Sequence, residues 1–421
     1  MATGYLDLLR APHVARLLGS TLLGRLPNGV ASLAVLLFVR AEGGSYGLAG
    51  ALAAGYGVAT AVGQPLLGRL VDLYGQPRIL LPAALCSTTA MGSLAVAGVG
   101  SPALALTLML LAGLTTPPLE GALRALWPSV LDHREDRVHR AYALEAVAQE
   151  VIFAGGPLVV MLCVAQWSEG AALLIVNGAG LLGALSVALS GPSRRWRSAP
   201  REAHWLGALR SRGLLALLGG FFFVGGALGA IAVAAVAYAD ARGNELVATY
   251  LHSGLGVGAL LGGLAYGARQ WPGEPERRLR LLVAALAVCY LPLALVPSGV
   301  VVMTLLSVLA GVFLAPALAC AFVVIDRHAP RGTVTEAFSW LVTTFGVGAA
   351  MGTGAVGPVI ERGGEGAGYV LSGVAGLLAL AVLWLTRNVL ASPHPVTVAV
   401  AGSENDRNAA PEPRFRTEDR A

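Results

Sequence analysis

Long apolar runs recur along this chain, broken by short polar links, and the pattern predicts membrane-spanning helices. Twelve runs are each close to the ~20 residues that carry a helix across a hydrocarbon core. They fall at 14–39, 47–68, 79–99, 102–123, 142–165 and 170–190, then at 213–239, 246–268, 279–298, 300–322, 335–360 and 367–387. Inside lipid the backbone must satisfy its own hydrogen bonds, so a spanning segment is a helix or part of a closed barrel. Unbroken runs, rather than alternating segments of about ten residues, exclude the barrel. The fold class is therefore an all-α polytopic membrane protein, its twelve transmembrane helices arranged in two six-helix bundles.

The longest internal link, 191–212, holds six arginines and divides the chain. Residues 1–190 form the expected N-terminal bundle and 213–388 the C-terminal one. The link suits a membrane surface. Residues 389–421, rich in Pro, Asn, Glu, Asp and Arg, are expected to be a disordered cytoplasmic tail. A weak repeat supports the division. Arg137-x3-Ala141-Tyr142 opens the fifth span and Arg331-x5-Ala337-Phe338 the eleventh; Gly68-x3-Asp72 has a faded counterpart in Gly263-x3-Gly267. Two related halves that rock around a central site are what alternating access requires.

Composition agrees with a lipid solvent. Of 421 residues 56% are hydrophobic and 13% charged, against roughly 25% charged in soluble domains, and the mean hydropathy is +0.69. All 29 basic residues are arginines, and the net charge is +5. They cluster in short links rather than in a nucleic-acid-binding stripe, so no nucleic-acid partner is expected. Arg10, Arg16, Arg69, Arg78, Arg134, Arg137, Arg140, the 194–212 group, the 269–280 group, Arg327 and Arg331 fall on one set of links; Arg40, Arg242 and Arg362 fall on the other. The positive-inside rule makes the first set cytoplasmic, together with both termini. No cleavable signal pattern opens the chain. Cys86, Cys163, Cys289 and Cys320 lie in separate apolar runs without metal-ligand or disulfide spacing. No GxxxxGK[ST] loop and no hydrolase or metal signature occurs, so no cofactor and no enzymatic activity are expected.

The link after the second span reads Gly68-Arg69-Leu70-Val71-Asp72-Leu73-Tyr74-Gly75-Gln76-Pro77-Arg78. Gly68-x3-Asp72-x2-Gly75-x2-Arg78 resembles the signature loop between helices 2 and 3 of the major facilitator superfamily, and span count, central link and orientation extend the resemblance over about 10–388. Two basic positions of that signature are Leu73 and Gln76 here. The resemblance implies the fold of a bacterial-type transporter. It also implies a conformational gate in which Asp72 contacts the start of a helix in the other half and Arg78 an acid on a neighbouring helix. A carboxylate at a helix N-terminus is favourable, and Gly68 and Gly75 permit close approach and a tight turn. Gly156-Pro157 in the fifth span resembles the Gly-Pro motif of the superfamily's antiporters, although Leu158-Val159-Val160 follows where further glycines are usual. The arginine that many of its proton antiporters carry midway along helix 4 has no counterpart in 103–114.

Ionisable groups within spans are costly and mark candidate function. Thr21, Arg25, Asn28 and Ser32 form one stripe of the first span beside Pro27; Arg25 lies about 15 Å into the membrane. Tyr56, Thr60 and Gln64 form a stripe in the second span. Tyr142, Glu145 and Gln149 share a face of the fifth, with Glu150 one residue further round. Arg25, Asn28, Tyr56, Gln64, Glu145, Gln149 and Glu150 are the candidate substrate and proton-coupling residues. Arg25 and Glu150 are expected to pair, with Glu150 taking a proton when that pair opens. Near the cytoplasmic end of helix 4, Thr116, Glu120 and Arg124 align, and Glu120 is the available partner for Arg78 or Arg124; Pro117-Pro118 should break the helix. His252 is expected to be a satisfied interfacial histidine, and the glycine-rich stretch 346–358 a close-packing face.

The expected function is secondary active transport of a small organic solute by a monomer in the bacterial inner membrane. Proton-coupled efflux by antiport comes first, uptake by symport second, and a non-transporting receptor or scaffold on the same fold is the alternative from another class.

Overall fold

The structure, a computed structural model, describes residues 5–200 and 204–391; the expected disordered tail lies, from residue 392 on, outside the described residues. All the regular elements among them are helical. The first half runs α1 (Tyr5–Arg10), α2 (Val14–Ala41), α3 (Tyr46–Tyr74), α4 (Gln76–Ala97), α5 (Pro102–Leu114), α6 (Leu119–Val130), α7 (Glu135–Gln166) and α8 (Glu169–Ala188). The link contributes α9 (Gly191–Arg195) and a 3₁₀ turn at Gly207–Arg210. The second half runs α10 (Arg212–Asp240), α11 (Leu246–Ala268), α12 (Pro275–Tyr290), α13 (Val300–Gly311), α14 (Leu314–His328), α15 (Val334–Leu385) and α16 (Arg387–Leu390). Residue 389, set as the start of the tail, therefore falls inside a helix.

Local chemistry sets the boundaries. The side chains of Ser45, Ser168 and Ser211 accept the N–H groups of Leu48, Ala171 and Leu214 at 3.1, 3.1 and 3.2 Å, capping α3, α8 and α10. Gly75, at φ 89°, is the single residue between α3 and α4, a conformation that favours glycine. Pro117 and Pro118 separate α5 from α6 as expected.

Among the described residues ten helical stretches are long and apolar enough to cross a membrane, α5–α6 and α13–α14 each counting as one. Two causes separate this from the twelve read in the sequence. α15 runs 52 residues without a break in its assignment, yet Gly364 inside it has φ 72° and ψ −178°, which turns the chain between the expected spans 335–360 and 367–387. α3 has 29 residues, but glycines and tyrosines dilute its apolar run.

Packing relies on small residues. A Cβ at Gly225 or Gly229 of α10 would run into the backbone carbonyls of Phe345 and Ala349, and one at Gly348 or Gly352 of α15 into those of Phe222 and Gly226. The glycine-rich stretch is thus a backbone-to-backbone seam. Lipid offers no hydrophobic drive between helices, so close approach supplies the dispersion contacts instead. One large core holds residues of both halves, including Leu126, Trp127 and Tyr142 with Phe322 and Phe338. A second core is confined to the first half, around Val35, Phe38, Leu52 and Met109. The first core joins the halves towards the helix ends that bear the arginine-rich links, hereafter the basic face.

Candidate functional site

Four charges from three helices meet in the first half, Arg25, Arg124 and Glu145 buried and Glu120 partly so. Arg25 of α2 lies 2.6 Å from Glu120 of α6 and 3.9 Å from Glu145 of α7. Arg124 of α6 lies 2.9 Å from Glu145 and 3.4 Å from Glu120. Arg25 also donates to Gln149 Oε1, and Trp127 Nε1 donates to Glu145 Oε2 at 3.2 Å. Two cations and two anions alternate around this quartet, so each buried ion has partners of opposite sign, the condition under which burial of charge is tolerated. Glu120 and Arg124 were expected at a gate and Arg25, Glu145 and Gln149 at a binding site; the structure joins them in one network. Its margin faces the second half. The Arg124 guanidinium carbon stands 3.8 Å from the ring centre of Phe322 and 5.7 Å from that of Phe338, and these two rings and Tyr142 form a trio with centroids 5.9–6.2 Å apart.

Glu150 does not pair with Arg25. Successive helical residues point about 100° apart, so the face that brings Glu145 and Gln149 to Arg25 turns Glu150 away. It lies across from α11 instead: Glu150 Oε2 is 3.9 Å from the position a Cβ of Gly256 would occupy. Glu150 is half-buried and has no ion pair among the described residues. Asn28, Tyr56 and Gln64 do converge. Tyr56 Oη donates to Asn28 Oδ1 at 3.3 Å and shares a 3.1 Å hydrogen bond with Thr116 Oγ1, and Gln64 donates to the Thr116 carbonyl at 3.2 Å. Gly156 lies against α2, where a Cβ would meet Val30, and Pro157 is accommodated inside α7. His252 bonds the Ala248 carbonyl at 2.7 Å, a satisfied histidine as expected.

At the basic face Asp72 caps the other half. Its Oδ1 accepts the N–H of Thr335 at 3.1 Å and its Oδ2 that of Glu336 at 2.9 Å, in the first turn of α15. Gly68 is required beside it, because a Cβ there would overlap Ser339. Arg78, in contrast, is exposed and has no ion pair among the described residues; the acid foreseen for it, Glu120, is held by Arg25 and Arg124. Asp72 completes a clasp that the link 191–212 reinforces. Arg69 donates to the Trp205 carbonyl at 2.8 Å, and Glu336 Oε1 accepts the N–H of Ala208 at 3.2 Å. Gly207, at φ 55°, brings the backbone so close to the Glu336 carboxylate that a Cβ would collide with it.

The related seam uses different chemistry. Gly263 and Gly267 of α11 pack on Val147 and Ala143 of α7, as Gly68 packs on α15. Where an acid would cap, Tyr5 Oη donates to the Leu264 carbonyl at 2.9 Å. Burial raises the Tyr5 phenol to about 12, against the opposing influence of Arg140, so it remains a neutral donor.

A sequence-family model described as "Major Facilitator Superfamily" matches residues 17–353. The chain belongs to the Major Facilitator Superfamily. It is accordingly a multi-pass membrane protein with a transporter fold. Solved superfamily structures agree. The human organic anion transporter MFSD10 (TETRAN) is 17% identical, with a TM-score of 0.65 over 88% of this chain and 100% of its own. A bacterial homologue of the iron transporter ferroportin, in an outward-facing state, is 15% identical, with 0.68 over 89% of this chain and 99% of its own. The E. coli fucose:proton symporter FucP is 14% identical, with 0.66 over 88% and 98%. No curated protein matches the chain in sequence. At these identities the likeness is one of fold.

Sequence reasoning missed several members of this superfamily site. Trp127, Phe322, Phe338, Tyr5 and the 205–208 segment carry no charge pattern that singles them out. Two signals were legible: Phe338 stands in the repeat where Tyr142 does, and Trp127 follows Arg124 by three residues and so shares its helical face.

Proposed function

We propose that the chain is a secondary active transporter that moves a small organic solute by alternating access. In this reading α3 and both arms of α15 also cross the bilayer, giving twelve crossings, and the basic face and both termini are cytoplasmic in a bacterial inner membrane. The Asp72 clasp then closes the cytoplasmic side, and the state described is open outward. The observation that carries the reading is the contrast between the quartet and Glu150. Arg25, Glu120, Arg124 and Glu145 neutralise one another within one half, whereas Glu150 stands at the seam between halves without an ion pair among the described residues. A carboxyl there changes surroundings whenever the halves rock, which is what a proton carrier needs.

Export by proton antiport is the first assignment, supported by Gly156-Pro157. Uptake by symport is the second; Leu158-Val159-Val160 departs from the glycines that follow Gly-Pro in the antiporter pattern.

In proteoliposomes, solutes first selected by thermal shift are expected to move when a pH gradient is imposed, and its direction separates antiport from symport. Glu150→Gln should abolish pH-driven flux while leaving expression and melting unchanged. Normal pH-driven flux by this variant would remove Glu150 from coupling.

A further inference from the structure

A crevice of about 1210 Å³ opens between α3 and the first arm of α15, with α2 behind it. These three helices alone contribute its lining. At the basic face it is shut by the Asp72 clasp, and Thr343 Oγ1 donates to the Ala61 carbonyl at 3.2 Å to tie the two helices together. The crevice extends to either side of that tie and has two unlike walls. The inner wall is the hydrogen-bonded group of Asn28, Tyr56 and Gln64. The outer rim is apolar and open: Val58, Val62 and Leu66 on one stripe of α3 are 66, 59 and 49% exposed, and Met351 on α15 is 60% exposed. Side chains of this kind at mid-helix face acyl chains when the helices stand in a bilayer. The crevice therefore runs from the lipid-facing surface to a polar wall inside the protein.

Its charge is balanced. Arg69 and Glu336 are the only Arg, Asp, Glu or His side chains in the lining. They have opposite sign, lie at the clasped end, and are held by Trp205 and Ala208. Arg25, on α2 outside the lining, is occupied by Glu120 and Glu145. An uncompensated charge on a ligand would be left without a partner at this depth, which is expensive. Amides and hydroxyls can still satisfy a neutral polar head.

We propose that the solute is an uncharged amphiphile that enters sideways from the bilayer between α3 and α15. Its polar head reaches Asn28, Tyr56 and Gln64, and its apolar tail lies along Val58, Val62, Leu66 and Met351. This substrate class rests on the transport reading above. Two glycines make it testable. Gly57 and Gly346 line the crevice, and a Cβ at either meets nothing within 4 Å. Leucine at these positions therefore starts from a Cβ with open space around it, extends its bulk into the crevice, and favours the helix over glycine.

The probe is a brominated monoacylglycerol added to the protein in nanodiscs, with quenching of Trp340, which lines the crevice, read as the difference between the parent and Trp340→Phe. Quenching is expected to saturate and to be reversed by the unbrominated lipid. The apparent affinity should fall about tenfold or more in Gly57→Leu and Gly346→Leu as the space is filled. Free glycerol should not compete, and a fatty-acid anion should compete poorly. Quenching that does not saturate, or that is unchanged in both leucine variants, overturns the sideways site. Flux measurements keep the two readings apart. Saturable, leucine-sensitive binding without pH-driven flux of the monoacylglycerol would sink the transport reading and leave the site standing. Flux of water-soluble solutes alone, indifferent to both leucines, would sink the site and leave transport standing.

Discussion

Glu145→Gln is expected to lower stability by about 3–5 kcal/mol, the largest effect of any single change at the centre. Glu145 is fully buried and is the closest anion to Arg124, at 2.9 Å. Glutamine preserves its shape and can still accept from Trp127, so the change removes charge and little else. Arg124, itself 1% exposed, would then have only Glu120 at 3.4 Å, which Arg25 already engages at 2.6 Å. Two buried cations sharing one anion leave an uncompensated charge. The loss should appear as a lower melting temperature of the purified protein. Glu145→Gln combined with Arg124→Gln should recover part of it, because Arg25 and Glu120 then remain as a neutral pair; such non-additivity is what residues in one network show. A single variant as stable as the parent would mean that Glu145 holds no charge in place.

Asp72→Asn is expected to shift the protein towards opening at the basic face. The asparagine oxygen can still accept one backbone N–H, but its amide group then faces the other, donor against donor. Losing one charge-assisted hydrogen bond costs about 1.5–3 kcal/mol, which corresponds to roughly ten- to hundredfold in a two-state equilibrium. Spin labels on Leu73 of α3 and Gln270 beyond α11 lie on opposite halves and on exposed positions. The longer-distance population between them should grow in the variant, and transport should fall with expression unchanged. Identical distance distributions and identical flux would reduce the segment 68–78 to a connecting loop.

The fold was legible because lipid imposes one strong rule, that apolar runs of helical length must appear wherever the chain crosses. The clasp was legible for a related reason, since Gly68 and Asp72 serve a geometry with few chemical solutions. What the chain could not display in one dimension was azimuth across helices. Arg25 and Glu150 lie at similar depths, and depth alone suggested a pair. The one-residue step from Gln149 to Glu150 turns the acid away from Arg25, which meets Gln149 and Glu145 on one face of α7 and Glu120 in the first turn of α6, just after Pro117 and Pro118. Tyr5 was invisible for a different reason: a phenol that donates to backbone carbonyls leaves no partner side chain to be found. α15 shows the reverse case: the polar stretch Glu361-Arg362-Gly363-Gly364-Glu365-Gly366 parts two apolar runs plainly in the sequence, whereas in the structure Gly364 alone leaves helical geometry.

The quartet has an electrical consequence. All four of its charges belong to helices of the first half, so they travel as one body when the halves rock, and their sum is zero. A membrane potential exerts about 2.3 kcal/mol per elementary charge per 100 mV on charge that crosses it, but performs no net work on a neutral group moving together. The quartet thus contributes no gating current of its own. On the transport reading proposed above, voltage sensitivity would then arise from charges outside the quartet, Glu150 and the buried Asp72 among them.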